Sequence, residues 1–381
     1  MSAFSSEFSK ITSEIEHSKY LNQMRNIQEL SHDRPVILYG AGKAVGIALV
    51  AFNLAHIEIA ALCDSNKTGI YHVADVPLPI ISPEKLLNEY NDAVLIITSW
   101  RFEAEIRKNL SGLGFDNDRI FSLWLPQRVN IDIFKQEYLS GYEWAYHYYQ
   151  DAKSKQLVLD RARSYLTSEI MVPNTKSKTY YDSAFAFTDK EIFLDGGAYD
   201  GDTINDFAKT VNYKYKHIFA FEPDGSSFSR LSEAAKNIPN VKIFNVGLGE
   251  ADGAASLHFN GLVASGFAPM KYFISPQDKF SDTKFETEQK EIIKIDSFYE
   301  NNPNEPLPTF IKLDVEGWEA EVLHGAAATI KKSKPKLAVC VYHKIENVYD
   351  IPQTILNIRD DYKFKLRQCD YGYYETVLYA Y

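Results

Sequence analysis

The chain has 381 residues, enough for two domains, and a formal net charge of −10. That acidic balance argues against a surface for nucleic acid, which needs clustered Lys and Arg. Hydrophobic residues make up 45%, the first residues lack the apolar core of a signal peptide, and no run is long enough to span a bilayer, so the expectation is a cytoplasmic globular protein.

Residues 1–33 carry apolar positions at Phe4, Phe8, Ile11 and Ile15, then Leu21, Met24, Ile27 and Leu30. This three- and four-residue spacing predicts helix. The helix is expected to pack on the next domain, with a homodimerisation arm as the other reading. Val36–Tyr39 reads as a strand, followed by Gly40-Ala41-Gly42-Lys43-Ala44-Val45-Gly46. That is one residue off the dinucleotide fingerprint. A helix to about Leu54 and a strand from Glu58 to Cys63 follow. Asp64 then stands where a ribose hydroxyl would be held in a dinucleotide site. Pro77–Glu84 reads as a loop with a helix start, Val94–Ser99 as a strand, Phe102–Leu113 as a helix, and Ile120–Leu123 as a closing strand. Residues 34–125 therefore predict a small parallel α/β unit. Its turn is read as structural, or as binding a nucleotide-sugar or NAD. Residues 126–185, rich in Tyr and Phe, predict two helices that link the halves and cover one side of the second.

Residues 186–381 predict a second α/β unit. Ile192–Leu194 is an apolar run fit for a strand covered on both faces. Gly196 and Gly197 allow a tight turn and close backbone approach. Gly201 leaves room where helix meets strand, and Asp202 or Thr203 is expected to cap that helix. His217–Phe221 is the next strand, ending in Glu222-Pro223-Asp224. Val241–Val246 follows and ends in Gly247-Leu248-Gly249. Residues 260–290 show little periodicity. Phe310–Leu313 predicts another parallel strand, with exit Asp314-Val315-Glu316-Gly317, and Lys336–Tyr342 a further one. Phe364–Cys369 and Glu375–Ala380 predict a closing antiparallel hairpin. Cys63, Cys340 and Cys369 are odd in number and far apart, which predicts inert thiols rather than a disulfide or metal framework.

Two acidic positions bear on the cofactor. Glu222 lies where a carboxylate meets ribose hydroxyls in α/β sites. Asp195, before the glycines, would repel a pyrophosphate and welcome a sulfonium. The charge pattern favours S-adenosylmethionine over NAD.

Asp195-Gly196-Gly197-Ala198-Tyr199-Asp200-Gly201-Asp202-Thr203, Phe221-Glu222-Pro223-Asp224, the run Lys312–Ala326 (Asp-Val-Glu-Gly-Trp-Glu-Ala-Glu-Val-Leu-His-Gly-Ala at its core) and Glu375–Tyr379 resemble the FkbM family of S-adenosylmethionine-dependent methyltransferases. The resemblance covers about half the chain. It implies a seven-stranded methyltransferase sheet and O-methylation of a sugar, glycan precursor or related natural product. The first unit resembles, more loosely, Rossmann-like domains of bacterial glycan and nucleotide-sugar enzymes. A nucleotide-sugar-binding scaffold with a non-catalytic methyltransferase fold is thus the alternative function. By resemblance, Asp195 and Gly197 line the methionine part of the cofactor, with Tyr199, Asp202 and Thr203 beside it. Glu222 binds the ribose, Asp224 flanks the adenine, and Gly247 and Leu248 pass beneath it. For Asp202 a helix cap is an equal reading.

Methyl transfer to oxygen needs an aligned acceptor and removal of its proton. Asp314, Glu316 and His343 stand at neighbouring strand ends and suit a general base or a divalent-metal site. For Glu316 a helix cap, and for His343 a plain loop position, stay open.

Overall fold

The computed structural model describes residues 3–42, 45, 48–49, 57–73, 76–99, 102–122, 129–167, 169, 171–176, 179–259, 265–266, 287–370 and 374–381. The first sheet has six strands: β1 (Val36–Tyr39), β2 (Ile59–Cys63), β3 (Gly69–Val73), β4 (Val76–Ile81), β5 (Val94–Ile97) and β6 (Ile120–Ser122). Their order is β3-β4-β2-β1-β5-β6, parallel except for the β3–β4 pair. Every side chain of β1 and β5 is buried, as continuous apolar runs require of a sheet covered on both faces.

The stretch read as a loop at Pro77 is instead strand β4. Two prolines are tolerated because β4 meets β2 only at Ile80 and Ile81, so Pro77 and Pro79 pair with β3 alone. Ser82 then caps the helix Pro83–Glu89, its Oγ accepting the Lys85 N–H at 3.1 Å.

The N-terminal segment divides. Helix Lys19–Ser31 sends Ile27 into the first domain's core. Helix Ala3–Glu14 does not pack there. Phe4, Phe8 and Ile11 lie on one helical stripe and join Phe134, Tyr142 and Tyr165 of the connecting segment in the core of the second domain. The aromatic wall decides this: Phe8 stacks on Phe134 with centroids 5.6 Å apart.

The second domain is built on a seven-stranded sheet. Its strands are β7 (Ile192–Gly196), β8 (His217–Phe221), β9 (Val241–Phe244), β14 (Phe310–Leu313), β15 (Lys336–Cys340), β16 (Phe364–Gln368) and β17 (Thr376–Ala380). The order is β16-β17-β15-β14-β7-β8-β9, with β17 antiparallel to both neighbours. The closing hairpin is as expected; residues 371–373 of its turn lie outside the described residues. Between β9 and β14 a side sheet forms from β10 (Gly247–Leu248), β11 (Gly253–Phe259), β12 (Ser265–Gly266) and β13 (Thr287–Ile293). The last residues of the segment read as aperiodic thus belong to β13, whereas 260–264 and 267–286 lie outside the described residues.

Helices Leu139–Tyr148, Ala152–Thr167 and Asn347–Ile358 cover one face of this sheet. Phe207 with Tyr181, Phe185 and Phe187 covers the other, packed on Phe193 and Phe310. The two-residue alternation of strands puts Asp195, Lys312, Asp314, Cys340 and Val377 on this second face. Polar groups at the carboxyl edge therefore gather there, beyond the aromatic layer.

Candidate active site

β7 ends in the glycine turn because only glycine fits it. Gly197 has φ +76°, and its N–H and that of Ala198 both donate to the Phe221 carbonyl, at 3.0 and 3.1 Å. Gly196 sits over Leu248, whose side chain packs against it from the short strand after Gly247. Gly201, at φ +88°, makes room not for the strand but for the neighbouring helix, where an added Cβ would come 2.8 Å from Ala234 Cβ. Gly201 also takes the helix-cap position expected of Asp202 or Thr203. Asp202 is the first helical residue, and its Oδ1 accepts the Thr203 N–H at 2.7 Å. Tyr181 donates its hydroxyl to the Thr203 carbonyl at 2.9 Å. Tyr199, also left-handed at φ +48°, is exposed, with the Arg230 guanidinium 5.2 Å from its ring centre.

Asp195 is fully buried, and Lys312 Nζ lies 2.9 Å from its Oδ1. The register makes this pair unavoidable, since Lys312 is the cross-strand neighbour of Asp195 between β14 and β7. Lys312 Nζ also donates to the carbonyls of Gly196 and Gly197, at 3.2 and 2.6 Å. Burial alone would strip its proton, but Asp195 and Asp314 outweigh that and hold it more tightly than in water. The repulsion argument drawn from Asp195 therefore needs correction: its charge is cancelled beneath the turn and shielded from any ligand above. A lone Lys inside an apolar strand was the signal that a partner carboxylate had to stand beside it.

Glu222, at the end of β8, is buried and clasps the same turn. Its Oε2 accepts the Tyr199 N–H at 2.9 Å and its Oε1 the Asp224 N–H at 2.8 Å. Burial raises its pKa to about 7, against the lowering effect of these two bonds. A carboxylate has about four lone-pair positions, so two remain for a ribose diol. Asp224 caps the helix Gly225–Ala235, its Oδ1 accepting the Ser227 N–H at 2.7 Å. The first domain repeats the clasp: Asp64 Oδ2 accepts the Ala41 N–H at 2.8 Å, and its Oδ1 those of Asn66 and Lys67. Residues 43–44, 46–47 and 50–56 lie outside the described residues.

On the other side of β7, Asp314 leaves β14. The hydroxyl of Tyr180 donates to its Oδ2 at 2.8 Å and that of Tyr342 to its Oδ1 at 3.0 Å. Burial would raise its pKa, but Lys312, His343 and the Tyr180 bond outweigh burial and lower it. His343 Nε2 stands 3.5 Å from Asp314 Oδ1 and 3.4 Å from Glu316 Oε2. Its Nδ1 is 2.9 Å from Oε1 of Glu319. The three predicted residues do converge. Glu316 caps no helix, because the helix starts at Glu319; it holds φ +54° and stays partly exposed.

Sequence reasoning quoted Glu319 within the motif but gave it no role. It is fully buried and accepts the N–H groups of Val315 and Gly317 at 3.0 and 3.3 Å, fixing the loop that carries Asp314 and Glu316. Tyr180 and Tyr342 were also missed, and no local pattern marks them.

Ligand atoms of Asp314, Glu319 and His343 lie within 4.8 Å of one another. Both ring nitrogens of His343, however, face carboxylates. Burial lowers its pKa, but Glu319 and Glu316 raise it well above the usual value. An imidazolium has no lone pair to give a metal. Without a metal these residues hold a histidine cation among carboxylates, and a divalent cation would have to displace that proton to bind here.

Residues 195–373 match the family model described as the methyltransferase FkbM domain. The second domain belongs to the FkbM methyltransferase family. It is an S-adenosylmethionine-dependent methyltransferase. Residues 32–121 match a second family, described as C2185-like, N-terminal. A crystal structure of methyltransferase FkbM from Methylobacillus flagellatus KT is 20% identical and covers 98% of this chain and 99% of that one, with a TM-score of 0.63. The fold is thus shared across both domains. Precorrin-6y C5,15-methyltransferase from Geobacter metallireducens GS-15 is 10% identical over 51% of this chain and 82% of its own, with a TM-score of 0.31. Aeropyrum pernix fibrillarin, solved with natively bound S-adenosyl-L-methionine, is 11% identical over 51% and 69%, also at 0.31. No curated protein matches the chain. Among the described residues, no helix is long and apolar enough to cross a membrane.

Proposed function

We propose a cytoplasmic O-methyltransferase that acts on a hydroxyl of a sugar, glycan precursor or related natural product. One observation carries it: Glu222 and Asp314 end β8 and β14, the two strands that flank the glycine turn of β7. A diol-binding carboxylate and an acceptor-side carboxylate thus face one cleft from opposite sides. The turn fits the cofactor, since Glu222 clasps it with two bonds and keeps two lone-pair positions beside it. When bound, S-adenosylmethionine supplies an electrophilic methyl group on a cationic sulfur.

Asp195 and Lys312 hold the turn from beneath. Gly196, Gly197, Tyr199, Gly201, Asp202 and Thr203 shape it, and Glu222 takes the ribose. Asp224, Gly247 and Leu248 build the adenine side. Asp314 stays ionised and fixes the Tyr180 and Tyr342 hydroxyls that border the acceptor side and orient the acceptor. His343 and Glu316 flank that contact, and Glu319 holds His343 in place.

Calorimetry with S-adenosylhomocysteine tests this reading. Binding should weaken by at least about tenfold in Glu222→Ala, the scale of losing a hydrogen-bonded charged group. In the unaltered protein, affinity should fall by up to about tenfold per pH unit below 7, because Glu222 takes up a proton there, and level off above. Absence of binding, or a pH-independent affinity unchanged by Glu222→Ala, would sink the cofactor assignment.

The acceptor class is tested by mass spectrometry of cell-surface glycans with and without the gene. Loss of a 14-dalton methyl increment from a sugar is the expected result. Identical spectra would count against a glycan acceptor.

A further inference from the structure

The acceptor-side groups already described are poorly placed to remove a proton. Both oxygens of Asp314 receive tyrosine hydroxyls, and its affinity for protons is lowered. His343 is held as a cation by Glu319 and Glu316. A hydroxyl that becomes an ether must nevertheless lose its proton.

One more carboxylate reaches this cleft. Glu375 precedes β17, and the Val341 N–H to Thr376 carbonyl bond sets it alongside Tyr342. The alternation of β17 puts it on the same face as Val377, Cys340 and Asp314. Its backbone is left-handed, at φ +61°. Tyr180 and Glu316 share that conformation at φ +70° and +54°, and both meet the Asp314 group, Tyr180 by its bond to Asp314 and Glu316 by facing His343. Such strain persists where surroundings impose it, and it gathers at functional sites. Oε2 of Glu375 is shut off from solvent and has no hydrogen-bond donor. A buried carboxylate oxygen without a donor is costly and is relieved by a ligand that brings one.

We infer that Glu375 is the general base of this enzyme: its Oε2 accepts the acceptor hydroxyl as hydrogen-bond donor and then takes the proton. The inference rests on the methyltransferase reading above. As the oxygen–carbon bond forms, the carbon–sulfur bond breaks with its electron pair left on sulfur. The hydroxyl proton passes to Glu375, which becomes a neutral carboxylic acid. The charges around it suit this. Burial and then Asp314 raise its pKa to about 7, Asp370 adds to the rise, and Thr179 and Lys312 oppose it. Tyr180, Tyr342 and Cys340 also face it, each with its pKa raised, so they stay neutral. Two carboxyls driven apart in proton affinity, Asp314 down and Glu375 up, divide the work of orientation and proton removal.

The test uses the full chain labelled with carboxyl-13C glutamate and saturated with S-adenosylhomocysteine. Glu375→Gln should leave affinity for this probe within about twofold. It should also remove a carboxyl resonance that titrates near pH 7. With radiolabelled S-adenosylmethionine and a panel of hexoses, nucleotide-hexoses and extracted glycans, Glu375→Gln should lower kcat by about 10²–10⁴-fold. The acid limb of the pH profile should go with it, and Glu375→Asp should restore part of the rate. Wild-type turnover in Glu375→Gln, or a Glu375 resonance that titrates below pH 5, overturns the assignment. If the wild type binds the probe but methylates nothing on the panel, the acceptor reading fails, and the resonance alone then decides the fate of Glu375.

Discussion

Replacing Lys312 with Met should destabilise the protein by about 3–5 kcal/mol, the usual result of leaving one member of a buried ion pair alone. Lys312 and Asp195 are both fully buried at 2.9 Å. The unpaired Asp195 carboxylate would have no water to solvate it. Urea unfolding measures the loss. Burial already raises the folded-state pKa of Asp195 against the lowering effect of Lys312, and in Lys312→Met it must rise further. The penalty is then greatest above that folded value and shrinks as pH falls through it. A second change, Asp195→Asn, should recover most of the stability, because the double variant buries no charge. A loss below about 1 kcal/mol in Lys312→Met, with no pH dependence, would show that Asp195 is neutral or paired elsewhere. Cofactor binding should weaken in parallel, since Lys312 also holds the carbonyls of Gly196 and Gly197.

The second large effect is expected at Gly197. An alanine there must adopt φ +76°, and its Cβ would stand 1.9 Å from the Asp314 carbonyl oxygen. The backbone conformation costs about 1–3 kcal/mol and the overpacking about another 1–3. The clash is with backbone, so no side-chain rotation relieves it. The loop of Asp314 must move instead, and with it the acceptor side of the cleft. Gly197→Ala should therefore lose both stability and S-adenosylhomocysteine affinity. Gly112→Ala is the control: nothing lies within 4 Å of its added Cβ, and the expected change is within about 0.5 kcal/mol. Equal behaviour of the two variants would refute the close approach of β7 and β14 at this turn.

These two residues show where sequence reading stops. Gly197 was legible, because a glycine pair after an apolar strand and before a helix is a local pattern with a local cause. Glu222 and Asp314 were legible for the same reason: each is the first acid after a buried strand, and strand ends of an α/β sheet share one edge. The neighbours of those acids were not. Glu319 looked like one more polar residue in the first turn of a helix, and Tyr180 like part of an aromatic-rich linker. Glu375 looked like the start of the closing hairpin's last strand and of a family motif, with no role of its own.

The chain by itself determined the order of elements apart from β3 and β4, the two α/β units, the closing hairpin and the family motifs. Strand alternation, turn chemistry and helix spacing act over a few residues, and so they can be read in order. Only the tertiary structure decided which charge meets which. The crossover that sets β14 beside β7 makes Lys312 the partner of Asp195 and cancels the charge that the sequence assigned to the cofactor. The Ala3–Glu14 helix went to the second domain because an aromatic wall is there. The clasp of His343 by Glu319, and the meeting of Asp314 with Tyr180 and Glu375, follow from strand order and register. Those depend on how distant segments bury their surfaces together, and no local pattern encodes that.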